Sequence, residues 1–351
     1  MAPSSIRETQ SPEATPMHRD PDAPDFVHDY VNLASPLLGS TAELASDEFF
    51  APKERLLQDA APVFLPDEFD ANGKWMDGWE TRRRRSGGND WCLIRLGVPG
   101  VVKGVDIDTS HFTGNYPPAA SIEGLYSDTA PDADAGARWR PLVRATPLKG
   151  NAHRYEAVTE NDPVNWLRLQ IFPDGGIARL RVHGIPFREW TAQERAGEVE
   201  LSAAKNGGRI IAYNDAHYGA VLRLLSEGRG VNMGDGWETR RRREPGNDWI
   251  IVALASPGAV ERIEVDTAHF KGNFPDSCSI QAARVEHGAR GSLITQSMFW
   301  PELLPSKKLQ ADHIHMFGGE DVAKLGPISH VRFNIFPDGG VSRLRLFGTL
   351  M

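Results

Sequence analysis

The sequence predicts an all-β protein built from two tandem jelly-roll β-sandwich domains with few short helices. One observation is composition, because 34 glycines and 25 prolines in 351 residues favour short strands and turns over long helices. Another is length, since a chain of this size accommodates about two domains of the usual ~100–200 residues. The third is a long polar motif that occurs twice and divides the chain into two similar copies.

Three pairs of matching segments define the repeat. They are residues 77–91 with 235–249, 108–117 with 266–275, and 168–181 with 332–345. The first pair is identical at 13 of 15 positions, and the first two pairs share a spacing of 158 residues. The last pair has a spacing of 164, so the second copy carries six extra residues before it.

These matches divide the chain into four parts. We predict a disordered tail at residues 1–30, which are rich in Pro, Ser and acidic residues and poor in aliphatic ones. A first repeat at 31–187, a connecting segment at 188–204 and a second repeat at 205–351 follow.

Within each copy, short apolar runs broken by turn residues predict about seven or eight strands, as in a sandwich. Residues 91–96 and 102–107 read as two strands separated by a Val-Pro-Gly turn. Residues 168–172 and 177–182 read as a closing hairpin whose Pro-Asp-Gly-Gly turn needs glycine at positive φ. Capping residues predict short helices within residues 46–57, 188–204 and 214–225.

Composition also bounds the partners. No stretch approaches the ~18 apolar residues of a membrane span, and the amino terminus lacks the apolar core of a secretion signal, so we expect a cytoplasmic protein without membrane contact. Cys92 and Cys278 occupy non-equivalent positions in the two copies, which disfavours a repeated disulfide or cysteine metal site. A net charge of −8 argues against nucleic acid as a partner, despite four consecutive arginines in each copy.

The arginine runs are the first candidate binding group. On a strand, Arg82 and Arg84 would face one side and Arg83 and Arg85 the other, so one pair could reach a cavity. We predict Arg82 and Arg84 as substrate-binding residues, with Arg240 and Arg242 equivalent in the second copy. A guanidinium can grip a carboxylate with two parallel hydrogen bonds, so these residues could bind an acidic substrate. The alternative is that they are solvated or ion-paired arginines.

Two repeated acidic residues accompany the runs. Glu80 and Glu238 each follow a tryptophan, and they could pair with the arginines or transfer a proton. The Asn-Asp pairs at 89–90 and 247–248 are equally well explained as turn formers.

A further repeated group contains carboxylates and histidine. Asp106, Asp108 and His111 correspond to Glu264, Asp266 and His269 in the second copy. Such a group could form an acid–base pair or hold a divalent metal ion. A structural alternative is that the Asp and Thr cap the strand end and that the His is a satisfied core residue.

Repeated amides and a second histidine complete the candidates. Asn115 and Asn273 lie in Gly-Asn-aromatic-Pro loops and could present an amide to an amide-like ligand, although a plain tight turn explains them almost as well. His153, in His-x-Tyr, aligns with His315, in His-x-Phe, and His313 has no counterpart.

The three repeated motifs, Asp-Gly-Trp-Glu-Thr-Arg-Arg-Arg, Asp-Thr-x-His-Phe-x-Gly-Asn and Phe-Pro-Asp-Gly-Gly, resemble those of the allantoicase family over residues 30–350. The resemblance implies two jelly-roll domains of the galactose-binding-like kind in a homo-oligomer. It also implies hydrolysis of allantoate to ureidoglycolate and urea, a step of purine degradation. Allantoate carries one carboxylate and two ureido groups on one carbon, which suits the arginine, amide and carboxyl groups above.

The competing interpretation is a jelly-roll module that binds a carbohydrate or another small molecule without catalysis. Such a module should show aromatic platforms, and only Trp79 or Trp237 adjoins the shared polar residues. The sequence leaves open whether each copy holds a complete site, whether the copies share one, or whether one copy is inactive.

Overall fold

The computed structural model describes residues 23–132, 138–286 and 290–351. The predicted disordered tail lies outside the described residues as far as residue 22. Its remainder is ordered, which corrects the prediction, because helix α1 (Asp25–Asp29) carries Phe26 against the rings of Tyr155 and His183. In the described part of the chain, no helix is long and apolar enough to cross a membrane.

The first copy is an antiparallel β-sandwich. Its strands are β1 (Val31–Asn32), β2 (Thr41–Ala45), β3 (Phe69–Asp70), β4 (Gly73–Lys74), β5 (Trp79–Glu80), β6 (Asp90–Asp108), β7 (Ala119–Leu125), β8 (Arg140–Pro147), β9 (His153–Ala157), β10 (Val164–Phe172), β11 (Gly176–Ile177) and β12 (Arg179–Pro186).

Strand β6 belongs to both layers of this sandwich. Its first part pairs with β2 and β10, and β7 and β8 extend that layer. Its last part pairs with β9 and β12, and β1 adds to β12. A register shift in the β6–β10 pairing separates the two parts. The predicted turn at Val-Pro-Gly is therefore an irregularity within one long strand. Ile94 from the first layer and Val182 from the second pack in the same core.

The closing hairpin predicted for residues 168–182 is wrong. Strands β10 and β12 do not pair with each other, because they add to different parts of β6. The Pro-Asp-Gly-Gly segment crosses from one layer to the other, and β11 pairs with β5 on the way. Gly175 and Gly339 do adopt positive φ, at 141° and 134°, as the sequence predicted.

The second copy repeats this topology. Its strands are β13 (Val199–Glu200), β14 (Arg209–Tyr213), β15 (Trp237–Glu238), β16 (Asp248–Asp266), β17 (Ser277–Ala283), β18 (Glu302–Lys308), β19 (Ile314–Gly318), β20 (Ile328–Phe336), β21 (Gly340–Val341) and β22 (Arg343–Leu350). Because β13 pairs with β22, the second sheet begins before residue 205, where the sequence placed the start of the repeat.

Helices are short and lie between the strands. The connecting segment contains helix α2 (Ala192–Ala196), which Thr191 and Glu194 cap reciprocally, and helix α3 (Arg290–Ser297) lies in the second copy. The 3₁₀ turns are Pro36–Leu38, Lys53–Leu57, Ala204–Asn206, Val221–Leu225 and Gly319–Asp321.

The helices predicted from caps at residues 46–47 and 214–215 are only the 3₁₀ turns that end at Leu57 and Leu225. Ser46 and Asn214 do not cap them, because their side chains bond to the main strand instead.

The two copies pack directly against each other. Leu38 and Val98 of the first copy lie in the same buried cluster as Leu201 and Leu254 of the second. Cys92 and Cys278 are free and buried in separate cores.

Candidate active site

Glu80 is held at the junction between the two layers of the first sandwich. The short strand β5 pairs with β11, and Trp79 beside it is fully buried with its ring nitrogen bonded to the Asp47 carbonyl. Glu80 is itself only 8 % exposed. Burial raises the pKa of its carboxyl above the ordinary value, and the nearby charge of Asp70 adds to the rise, while the hydrogen bond from Asn115 opposes it.

Asn115 lies directly beside this carboxyl. Its Nδ2 donates to Oε1 of Glu80 at 2.6 Å, and its backbone carbonyl accepts from the N–H of Gly176 at 2.8 Å. Gly176 must be glycine, because a Cβ there would lie 2.0 Å from the ring of the buried Phe112. The repeated Pro-Asp-Gly-Gly motif therefore lets the Asn115 loop pack against β11, which brings the Asn115 side-chain amide to the Glu80 carboxyl.

His111 occupies a left-handed backbone position, with φ 69°. Asn151 Oδ1 accepts from its backbone N–H at 2.9 Å, and its ring is stacked on Phe64. Its Nε2 lies 3.1 Å from the Pro62 carbonyl. Since a carbonyl oxygen only accepts, this contact assigns the proton to Nε2 and leaves Nδ1 of the neutral ring unprotonated.

Two adjoining cavities surround these groups. One, of about 530 Å³, is lined by Glu80, Asn115, His111 and residues of the segment 64–76, and the other, of about 570 Å³, by Glu80, Asn115, Arg83 and the Pro-Asp-Gly turn. Volumes in this range are typical of small-molecule sites. An acid, an amide and a histidine, each of them a candidate from the sequence, thus converge on open space.

The arginine run does not lie on a strand, which corrects the alternation expected from the sequence. Arg82 is bound to Asp47 through its backbone and its side chain, and Arg84 pairs with the buried Asp90 at 2.5 Å. Neither lines the two cavities. The arginine that does is Arg83.

The second copy shows the same division. Arg240 lies near Asp215 and Glu244, and Arg242 pairs with the buried Asp248. The interpretation as ion-paired arginines thus describes the predicted members of both runs.

Asp108 also lies away from the cavities. It is fully buried, its Oδ1 caps the N–H of Ser110 at 2.8 Å, and its Oδ2 lies 3.4 Å from Arg181. Thr109 bonds the backbone of the neighbouring loop. The structural alternative for this motif therefore describes the Asp and the Thr, whereas His111 faces the cavity. In the second copy, Asp266 caps Ala268 in the same way.

Asp106 and His153 form a cluster with Arg181, the same arginine that lies near Asp108. Nδ1 of His153 lies 3.0 Å from both oxygens of Asp106, and this hydrogen bond raises the pKa of the imidazole. Arg181 lies 3.3 Å from Asp106 and 3.4 Å from Asp108, so its positive charge offsets part of the negative charge of these two carboxylates. Across the described ranges, no group of three or more His, Cys, Asp or Glu side chains is arranged to hold a metal ion.

The alignment of His153 with His315 is off by one position. His153 pairs across the ladder with Asp108, whereas the residue opposite Asp266 is Ile314. His315 is opposite Val265 and is buried with Nδ1 on the Val265 carbonyl, so the two histidines face opposite sides of their sheets. Burial lowers the pKa of His315, in contrast to the rise at His153.

The second copy keeps the core of the arrangement. Asn273 bonds Glu238, and His269 has φ 69° with Nε2 on the Gly230 carbonyl at 2.7 Å. It lacks the wall. Val63 and Val231 both bond the carboxylate that ends this loop, Asp77 or Asp235, but residues 64–76 lie between them in the first copy and only residues 232–234 in the second.

Residues 64–76 supply Phe64, Lys74 and Met76 to the first cavity, and strands β3 and β4 form a small hairpin within them. Sequence comparison of the copies could not identify these lining residues as functional, because they have no repeated counterpart.

A further repeated polar pair lies within the matched motifs but is absent from the candidates that the sequence predicts. Arg179 is fully buried and donates to the Asp77 carboxylate at 2.7 Å and to the Asp77 carbonyl. In the second copy, Arg343 donates to the carboxylate and the carbonyl of Asp235. This pair fixes the loop that carries Glu80. Trp79 and Trp237 are also fully buried, so neither can serve as the aromatic platform that a carbohydrate-binding module would need.

Fold and site together define a class: tandem jelly-roll β-sandwich domains in which a buried acid, an amide and a histidine line a cavity. The model of the allantoicase repeat matches residues 31–187 and 199–351. A probable allantoicase 1 of Burkholderia mallei is 58 % identical over 332 residues, 94 % of this chain and 98 % of that protein. A probable allantoicase of Pseudomonas aeruginosa (strain LESB58) is 55 % identical over 92 % of this chain and 96 % of that protein.

A solved structure supports the same family. The crystal structure of allantoicase from Saccharomyces cerevisiae has a TM-score of 0.74 and 33 % sequence identity, covering 91 % of this chain and 92 % of that one. The chain belongs to the allantoicase family.

Proposed function

We propose that this chain hydrolyses allantoate to ureidoglycolate and urea, and that the reaction takes place in the first copy, in the cavities that Glu80, Asn115 and His111 line. The observation that carries the location is the 2.6 Å hydrogen bond between Asn115 and the buried Glu80, on a cavity wall that also holds His111.

Glu80 is the general acid in this proposal. Its raised pKa favours the protonated form, and Asn115 engages Oε1, which leaves Oε2 to carry the proton. The proton passes to the nitrogen of the departing urea while the lone pair of the retained ureido nitrogen forms a C=N bond. The C–N bond to the leaving urea breaks in the same step.

His111 is the general base. Its unprotonated Nδ1 accepts a proton from water as the water oxygen bonds to the same carbon, which gives ureidoglycolate. Exchange with solvent then returns a proton to Glu80 and removes one from His111, so one water is consumed for each urea released.

The amides of Asn115 and Asn151 suit the ureido groups, because a ureido group and an amide side chain each present both donors and an acceptor. We also propose that the chain works as a cytoplasmic homo-oligomer, and that its two repeats are joined by a connecting segment that begins near residue 188 and ends before β13. The two free, buried cysteines are consistent with a reducing compartment.

The direct test is to incubate the purified full chain with allantoate and to measure urea. We expect release from allantoate and none from allantoin, whose closed ring offers no free carboxylate. Equal turnover of the two compounds, or none of allantoate by folded protein, would refute the proposal.

A further inference from the structure

Arg83 is presented to the cavity by its neighbours on both sides. The backbone N–H of Arg82 donates to Asp47 Oδ1 at 2.9 Å, and that of Arg84 donates to Asp174 Oδ2 at 2.8 Å. These two bonds fix the run on either side of Arg83. The second copy repeats them, since Arg240 donates to Asp215 and Arg242 to Asp338.

The side chains of those neighbours are already occupied. Arg82 pairs with Asp47 and lies over the ring of Phe49, and Arg84 pairs with Asp90. Arg83 instead lines the cavity of about 570 Å³, together with Glu80 and Asn115. Two acidic residues line that cavity, Glu80 and Asp174. Both lie more than 4.0 Å from the guanidinium of Arg83, so it forms no ion pair with either of them.

The other cation near the site is not available in the same way. Lys74 lines the neighbouring cavity, but its Nζ donates to the carbonyl of Leu65 at 2.6 Å and to that of Pro66. The same Nζ lies over the rings of Phe64 and Phe69. Its charge is therefore committed to the segment that forms the wall.

We propose that Arg83 binds the carboxylate of the substrate and thereby selects an acid over a neutral diureido compound. This inference rests on the proposed function. A guanidinium offers two parallel N–H donors that match the two carboxylate oxygens. An arginine that lines a cavity and has no acidic partner among the described residues keeps both donors for a ligand. With the carboxylate at Arg83, the central carbon of the substrate lies toward Glu80 and Asn115, which line both cavities.

The test compares Arg83→Gln and Arg83→Lys with the control Arg85→Gln, a change at an exposed arginine of the same run that lines neither cavity. The substrate is allantoate, and the probe is methylenediurea, which has the same two ureido groups and no carboxylate. For each variant we would measure kcat and KM for urea release from allantoate and the inhibition constant of methylenediurea.

We expect Arg83→Gln to raise KM for allantoate by roughly 10- to 100-fold relative to Arg85→Gln with little change in kcat, as for loss of a charge-assisted contact made equally in the bound and transition states. Arg83→Lys should give a smaller rise, because it keeps the charge but not the fork. The inhibition constant of methylenediurea should not change.

A KM increase below about tenfold, or an equal weakening of methylenediurea, would overturn the assignment of Arg83. Where methylenediurea binds too weakly to measure, the KM ratio of Arg83→Gln to Arg85→Gln decides alone, and Arg83→Lys takes the place of a glutamine variant that fails to fold. Failure of the proposed function is a separate result, since the folded wild-type chain would then release no urea from allantoate.

Discussion

Asn115 and Glu80 are 35 residues apart in the chain and share a hydrogen bond of 2.6 Å, and Asn273 and Glu238 repeat the contact in the second copy. The bond joins an amide on a loop to an acid at the junction of the layers. It ties the two most specific repeated motifs into one arrangement.

The first prediction is that Glu80→Gln lowers kcat for urea release by about 10²- to 10⁴-fold, the usual worth of a general acid. Glutamine keeps the acceptor that Asn115 needs but carries no acidic proton. Glu238→Gln is the matched control and should retain most of the activity. Comparable losses from both changes would show that the second copy contributes an acid as well.

The same variant should raise the melting temperature at neutral pH. Because the pKa of Glu80 is raised in the folded state, its contribution to stability is present below the unfolded pKa of ~4.3 and is lost as pH rises through the folded value. A neutral glutamine avoids that loss. Thermal unfolding of both proteins from pH ~4 to ~8 should show a difference that grows with pH, and a constant difference would contradict the burial argument.

The second prediction concerns His111 and its equivalent in the second copy, His269. His111→Asn should lower kcat by roughly 100-fold, since asparagine tolerates the left-handed backbone but supplies no base. His269→Asn should leave most of the activity, because the wall formed by residues 64–76 in the first copy is missing around His269. Steady-state urea release by each single variant and by the double variant measures this directly. Half the activity in each single variant would instead indicate two independent sites.

The third prediction tests that wall. Replacing residues 64–76 by Asn-Met-Gly, the three residues of the second copy, should shorten the loop without touching the Val63 and Asp77 bond that closes it. We expect urea release to fall at least ~100-fold while the fold persists, because loss of the lining residues misplaces the substrate. Circular dichroism and urea release would be compared with Asp67→Asn, a change at an exposed position. Full activity in the shortened chain would place the reaction elsewhere.

The fourth prediction separates structural from exposed arginines. Arg84→Gln should lower the free energy of unfolding by ~1–3 kcal/mol, because Asp90 is 2 % exposed and would lose its ionic partner. Arg85→Gln, at an exposed position, should change it by less than ~0.5 kcal/mol. Urea denaturation measures both. Equal values would mean that solvent screens the Arg84–Asp90 pair.

The sequence by itself determined the duplication and the β fold, and it supplied the candidates for the site. Identity between copies at Glu80, His111 and Asn115 is visible because both copies need the same polar contacts at the same spacing. The sequence also predicted the positive φ of Gly175, because the Pro-Asp-Gly-Gly turn requires glycine at such a position.

Only the tertiary structure decided which of these groups face the cavity. Alternation along a strand predicts two pairs, Arg82 with Arg84 and Arg83 with Arg85, and does not say which pair reaches a cavity. In the fold, Asp47 and Asp90 bind Arg82 and Arg84, and Arg83 lines the cavity. Likewise His153 and His315 align in sequence, yet a shift of one residue turns them to opposite faces of the sheet. The physical reason is common to both cases: a side chain's direction depends on strand register and on partners far along the chain, and neither is encoded in local spacing.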